Sequence, residues 1–361
     1  MQQYLLRLNK ENSMAIEKSD VRERRRHRGD QRVTIEDVAK QAGVAPITVS
    51  RALSSPGKVS VKLRERVERA VALLGYVPNL IAGGLASAGT RVIPVIVPSL
   101  SILTFIEVVH GIQQTLENAG YQVLLGSTDF DLDRETSLID SVLGYSPSGV
   151  ILTGLRHRDR TVNRLKTWGR PVVEIMELGD PCIDMNVGVE NTQVGACMAR
   201  HLLAQGYQRI AFAGVGMSRD YRAMQRYEGH RQELAAAGVE SCLLFHTDEP
   251  SSYEAGKRVF LDTLAARPDI EAIHFANDNL AAGAILEANR RGIRVPEDLA
   301  IGGYLGLSLG EHLTPRLTTV VVPRFEMGVK AAKLMLERLE GRSPATSRVD
   351  IGYQLAVRES T

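Results

Sequence analysis

The clearest chemistry in this chain sits in Ala45, Pro46, Ile47, Thr48, Ser50 and Arg51. Proline suits the first position of a helix, because its missing N–H has no partner there anyway. On a helix starting at Pro46, Val49 and Leu53 point one way, while Ile47, Ser50 and Arg51 point another. A guanidinium can grip guanine O6 and N7 with two parallel hydrogen bonds, which makes Arg51 a base reader. Ile47 suits apolar contact with a thymine methyl. Thr48 and Ser50 suit phosphate oxygens. The same spacing also describes an ordinary helical hairpin with a solvated arginine.

The elements that must position these groups are legible on both sides. Ile35, Val38, Ala39 and Ala42 recur at helical spacing. Thr34 is a good N-cap, and Glu36 and Asp37 lie in the first turn, where the helix dipole favours acids. Gly43 supplies the left-handed residue that ends this helix. Ser60 is expected to cap a third helix whose apolar residues are Leu63, Val67, Ala70, Val71 and Leu74, with Gly75 closing it. A helix-turn-helix over 32–78 follows, its second helix sized for the major groove.

With Thr48, Val49, Ser50 and Arg51, then Val59 and Ser60, Tyr76, Pro78 and Asn79, and finally Ala82 and Leu85, the chain resembles the LacI/GalR family of transcriptional regulators. The resemblance runs over residues 32 to 361. It implies a hinge helix and linker over 79–90 that enters the minor groove, with Leu85 as the residue wedged between base pairs. Asn79, Ala82 and Leu85 therefore join Thr34 and the second-helix residues as DNA-contact candidates. Gly83 and Gly84 each cost a helix roughly 1 kcal/mol relative to alanine. So short a segment should fold only when DNA and a partner hinge supply contacts.

Charge agrees with that division. Residues 1–88 hold 16 Lys plus Arg against 9 Asp plus Glu, whereas the remainder holds 28 against 33. The basic part suits a phosphate backbone. Residues 1–31, with Arg22, Arg24, Arg25, Arg26 and Arg28, read as a disordered basic arm. They lack the apolar core of a signal peptide. No run of about 18 apolar residues suggests a membrane span. Cys182, Cys197 and Cys242 show no metal spacing and read as core thiols of a reduced, cytoplasmic, nucleoid-associated protein. No cofactor or metal is expected. Without a nucleophile elbow, phosphate loop or ligand cluster, an enzyme is disfavoured.

From residue 91 strands alternate with helices: strands at 91–97, 121–126, 149–153, 172–176, 209–214, 272–275 and 299–304, and helices at 106–119, 195–205, 280–291 and 324–339. Such alternation means parallel sheets covered on both faces. One core cannot hold two such sheets, so 91–361 reads as a two-lobed α/β domain for effector binding and dimerisation, with the 324–339 helix returning to the first lobe. The resemblance implies the fold of periplasmic sugar-binding proteins.

Ligands of open α/β sheets sit beyond the carboxyl ends of strands. Ser99 and Phe105 follow the first strand, Asn277 closes another, and Asn191 lies near the lobe crossing. Arg226 matches the family's ligand-gripping arginine and suits vicinal hydroxyls or a carboxylate. Phe105 can equally be core, and Asn277 and Asp278 can cap the next helix. Arg219 and Arg222 fall on an expected loop, where they would attract an anion. Glu174 is a hydroxyl acceptor or a structural residue.

Many sugar-binding relatives carry an aspartate where this chain has Leu305, within Gly303, Tyr304, Leu305 and Gly306. Loss of that carboxylate removes a hydroxyl acceptor and also stops repelling anions. Pro171–Met176, Pro181–Asp184 and Val187–Asn191 resemble the subgroup of the family that answers to gluconate-type sugar acids. The expectation is a homodimeric repressor released from operator DNA by such an acid. A neutral sugar or a nucleobase is the alternative effector, and a sugar-transport protein the alternative class.

Overall fold

A computed structural model describes residues 33–54, 56–77, 90–100, 103–239 and 243–361. The chain divides into two compact units, one ending at Ala88 and one beginning at Gly89.

In the first unit, α1 (Ile35–Ala42), α2 (Pro46–Ser54) and α3 (Val61–Leu74) pack around Val38, Val49 and Val67, all fully buried. Thr34 and Asp37 form a reciprocal capping box: the Asp37 N–H donates to Thr34 Oγ1 and the Thr34 N–H donates to Asp37 Oδ2. Gly43, at φ 62°, ends α1, and the guanidinium of Arg66 on α3 donates to the Ala42 and Gly43 carbonyls. Orphan carbonyls at a helix C-terminus are thus met by a cation. Ser60 occupies the N-cap position of α3, but its side chain makes no capping bond; only its carbonyl accepts, from Leu63 and Arg64. Gly75 closes α3 at φ 64°.

The second unit holds two six-stranded sheets. The first joins β1 (Val92–Val97), β2 (Gln122–Ser127), β3 (Val150–Thr153), β4 (Val172–Ile175), β5 (Met185–Gly188) and β11 (Arg348–Asp350) in the order β2-β1-β3-β4-β5-β11. The second joins β6 (Ile210–Val215), β7 (Leu243–Thr247), β8 (Ala272–Phe275), β9 (Ala300–Leu305), β10 (Thr318–Val321) and β12 (Gln354–Ala356) in the order β7-β6-β8-β9-β10-β12. Every pairing is parallel except β10 with β12. Interior strands such as β3, β8 and β9 are buried along their whole length, which is why they read as continuous apolar runs.

The connecting helices are α4 (Leu103–Asn118), α5 (Leu132–Leu143), α6 (Asp159–Trp168), α7 (Asn191–Ala204), α8 (Tyr221–Ala236), α9 (Tyr253–Ala266), α10 (Asp278–Arg291) and α11 (Arg324–Leu339). After β10 the chain returns through α11, which packs on α4, and then adds β11 to the first sheet. Glycines make that crossing close. A Cβ on Gly111 would lie 2.2 Å from the Phe325 carbonyl oxygen, and one on Gly328 would lie 2.1 Å from that of Val108.

Three placements near the cavity differ from expectation. Gly195 lies inside α7 rather than at its start, because a Cβ there would meet the Arg226 carbonyl oxygen on α8 at 1.8 Å. Phe105 is helical, within the first turn of α4. Arg222 sits in the first turn of α8, buried, rather than on a loop. Cys182 and Cys197 are only half-buried free thiols, not core ones, and Cys242 lies outside the described residues.

Candidate functional site

In the first unit, α2 buries Val49 and Ala52 against α1 and α3, and this fixes which residues it turns outward. Ala45, Pro46, Ile47 and Arg51 are exposed, while Thr48 and Ser50 are half-buried. Ile47 is 66% exposed, an apolar side chain with no core to serve. Thr34 is exposed too, but its hydroxyl bonds Asp37 within the capping box. Asn79, Ala82 and Leu85, the hinge candidates, lie outside the described residues, as does the basic arm over 1–31.

In the second unit each sheet has its topological switch between its first and third strands, β1 with β3 and β6 with β8. Doubly wound sheets place ligands there, at the carboxyl ends. A cavity of about 220 Å³ lies at that position between the two lobes. Five of the six effector candidates line it: Ser99 after β1, Phe105 on α4, Asn191 at the start of α7, Arg226 on α8 and Asn277 after β8. Phe105 is both core and wall, packed into a buried cluster that runs through both lobes. Asn277 is the N-cap of α10: its Oδ1 accepts from the Leu280 N–H (3.2 Å) and from Ser251 Oγ (3.1 Å), so its amide N–H groups remain as donors.

Glu174 is not in the cavity. Its Oε2 accepts from the Ile183 N–H at 2.6 Å and its Oε1 lies 3.2 Å from His157 Nε2. His157 Nδ1 meets Glu135 Oε1 at 2.7 Å. Burial opposes the imidazolium, but hydrogen bonds and charge from Glu135 and Glu174 outweigh it and push His157 up to about 9. Glu174 therefore belongs to a buried ion cluster inside the first lobe. Asp278 is no cap either. Its carboxylate accepts from the Leu307 N–H (2.7 Å) and Thr319 Oγ1 (2.6 Å), tying α10 to the segment after β9 and to β10, and burial pushes its pKa up.

Beyond the effector candidates, Asp129, Phe130, Met176, Asp220, Glu249 and Tyr304 line the cavity. Asp129, Phe130 and Met176 also follow strands, and all three have positive φ. The strand-end rule applied to every strand would have found them. Leu305 lines the cavity at φ 118°, with its carbonyl accepting from Arg324 of α11.

The charges in the cavity are not alike. Asp129 is paired with Arg134, Glu249 with Arg258 at 2.7 Å, and Asp220 with Arg222 at 3.5 Å. Arg226 has only neutral partners. Its Nη1 donates to Asn191 Oδ1 at 2.8 Å, its Nη2 donates to the Ala276 carbonyl at 3.3 Å, and its guanidinium lies 4.1 Å from the Tyr304 ring centroid. Arg226 Nε and Asn191 Nδ2 are buried donors without a protein acceptor. A buried cation without a counter-charge is costly, so this geometry favours an anion.

The two lobes also touch directly beside the cavity. Tyr221 and Gln225 of α8 both donate to the Glu177 carboxylate, Gln225 at 2.7 Å. The Tyr221 oxygen accepts from the Leu155 and Arg156 N–H groups at 2.8 and 3.1 Å. Gly154 leaves the space, since a Cβ there would lie 2.4 Å from that oxygen.

Residues 34–79 match the bacterial regulatory proteins of the lacI family, and residues 199–361 match the periplasmic binding protein-like domain. The chain is 38% identical to the HTH-type transcriptional regulator GntR of Pseudomonas aeruginosa over 96% of its own length and 100% of that protein. It is 32% identical to the HTH-type transcriptional regulator IdnR of Escherichia coli, over 90% of this chain and 97% of that one. Among solved structures, a LacI-family transcriptional regulator from Silicibacter pomeroyi superposes with a TM-score of 0.86 at 37% identity, covering 91% of this chain and 99% of the other. These relatives are regulators of transcription, not enzymes. With an N-terminal helix-turn-helix, a two-lobed binding-protein fold and relatives matched over nearly their full length, the chain belongs to the LacI family of transcriptional regulators.

Proposed function

We propose that this regulator is a homodimeric, cytoplasmic repressor that leaves its operator when a gluconate-type sugar acid fills the cavity between the lobes. The observation that carries the effector class is Arg226: a buried guanidinium in the cavity wall with neutral partners only, beside carboxylates that are already paired. A carboxylate there forms a charge-assisted pair. Ser99, Asn277 and the free amide of Asn191 serve hydroxyls. Leu305 adds no competing acid.

Arg51, Ile47, Thr48, Ser50, Ala45 and Pro46 form the major-groove face, and Asn79, Ala82 and Leu85 the minor-groove hinge. A second copy of the chain is supported by β2, an edge strand on which consecutive Leu124 and Leu125 are 42% and 41% exposed. A two-fold dimer reads a near-palindrome. Effector and operator then weaken each other by the same factor.

Calorimetry with gluconate, 2-ketogluconate, idonate and glucose, paired with gel shifts on the DNA upstream of the protein's own gene, tests both halves. One acid should bind and release the DNA. Tighter binding of glucose than of every acid would overturn the effector class. Arg51→Ala should lose about 1–3 kcal/mol of discrimination at one base pair; an unchanged ratio of operator to scrambled-DNA affinity would remove Arg51 from the reading face.

A further inference from the structure

Beneath Arg226 lies a polar pair that no ligand contact requires. His230 is one helical turn further along α8, and His274 is on β8 two residues before Ala276, the residue whose carbonyl accepts from Arg226. Both side chains are fully buried, and their Nδ1 atoms are 3.0 Å apart. The rings stand edge-on to Phe212 of β6, with centroids at 5.5 and 4.8 Å. Both Nε2 atoms are buried without a partner.

Burial holds His230 down to about 3, and burial, His230 and Arg226 together hold His274 well below its ordinary value. Both imidazoles are therefore neutral. One Nδ1–H donates and the other Nδ1 accepts. Such a pair is a poor way to fill an apolar core, because each ring leaves a polar atom unsatisfied. What it supplies is direction. The directional bond ties the rotation and height of α8 to β8 through those two atoms.

We infer that His230 and His274 are positioning residues for Arg226: their Nδ1–Nδ1 bond sets the register of α8 on β8, and so aims the guanidinium into the cavity. Two further contacts act on the same stretch of helix. Gly195 lets the Arg226 backbone close on α7, and Gly229 lets α8 close on the Thr192 backbone. These hold α8 against α7, and the histidine pair holds it against the sheet. The effector consequence rests on the sugar-acid reading above; the placement of Arg226 does not.

The full chain carrying His230→Leu and His274→Leu tests this. Three quantities are read: proton exchange of the Arg226 guanidinium by NMR without ligand, gluconate affinity by calorimetry, and operator affinity without ligand. The variant should melt at the same temperature or higher and keep operator affinity within twofold. Its Arg226 protons should exchange at least tenfold faster, and gluconate affinity should fall at least tenfold. His274→Asn, whose amide returns a hydrogen-bonding atom near the Nδ1 position, should bring both within threefold of the parent. Unchanged Arg226 exchange in the double leucine variant would overturn the inference. If that variant does not fold, His274→Val against His274→Asn makes the same comparison. Should the parent protein ignore gluconate, the sugar-acid reading fails, while the exchange measurement still decides the positioning role.

Discussion

The two lobes share one strand order yet differ in which buried charges stand near the cavity. The first lobe buries Glu135, Glu174 and Glu177; the second buries Arg222 and Arg226 beside the cavity. The first lobe's acids are spent internally. Glu135 and Glu174 flank His157, and Glu177 receives Tyr221 and Gln225 from the other lobe. To the cavity this lobe presents mainly Phe105, Phe130 and Met176, which are surfaces rather than charges. The second lobe presents Arg219, Arg222 and Arg226 together with Asp220, Glu249 and Asn277. What sets the second lobe apart is Arg226, a buried cation in the cavity wall with neutral partners only, and Glu177 is where the two lobes are joined.

The largest test of that division removes the charge. Arg226→Gln should weaken sugar-acid binding more than 100-fold, because losing one partner of a buried ion pair costs about 3–5 kcal/mol. Binding of a neutral sugar should change far less, and calorimetry separates the two. If acid and neutral sugar weaken equally, Arg226 does not meet a charge on the ligand.

The first lobe's cluster can be broken by pH. His157 has a folded pKa of about 9 against an ordinary value of 6.5. A raised folded value means its stabilisation is complete below pH 6.5 and is lost as pH rises through 9. Each tenfold gain in proton affinity on folding is worth about 1.4 kcal/mol, so the loss comes to about 3 kcal/mol. Thermal melts between pH 6 and 10 should show it, and His157→Gln should flatten the slope. A melting temperature that does not fall over that range would mean the cluster is not ionic.

Tyr221→Phe sharpens the comparison at the junction. It removes the donor to Glu177 and leaves the Leu155 and Arg156 N–H groups without that acceptor. A cost of about 2 kcal/mol follows. It should appear as weaker effector binding, with operator binding in the absence of effector unchanged.

The smallest expected change puts an acid back into the cavity. Leu305→Asp should lower sugar-acid affinity about tenfold by repulsion and raise affinity for a neutral sugar.

Much of this is legible in the chain itself. Capping and periodicity are local, so Thr34, Gly43 and Gly75 mark helix ends correctly. The alternation after residue 91 calls for two parallel sheets, and the helix expected over 324–339 has those bounds in the fold. Strand ends and the family's arginine position lead to five residues that share one cavity. Where the sequence misleads, the partners are distant in it. Gly195 reads as a boundary until α8 is seen against it. Glu174 reads as a ligand group until His157, seventeen positions earlier, is found at 3.2 Å.

Sequence alone determined the segments, their order and the chemical types available, because hydrogen bonding and apolar periodicity act over a few residues. The fold alone decided which charges are paired. Arg222 and Arg226 are one helical turn apart, yet one meets Asp220 and the other only amide and carbonyl oxygens. Electrostatic interaction depends on distance through space and on burial, and neither is written along the chain.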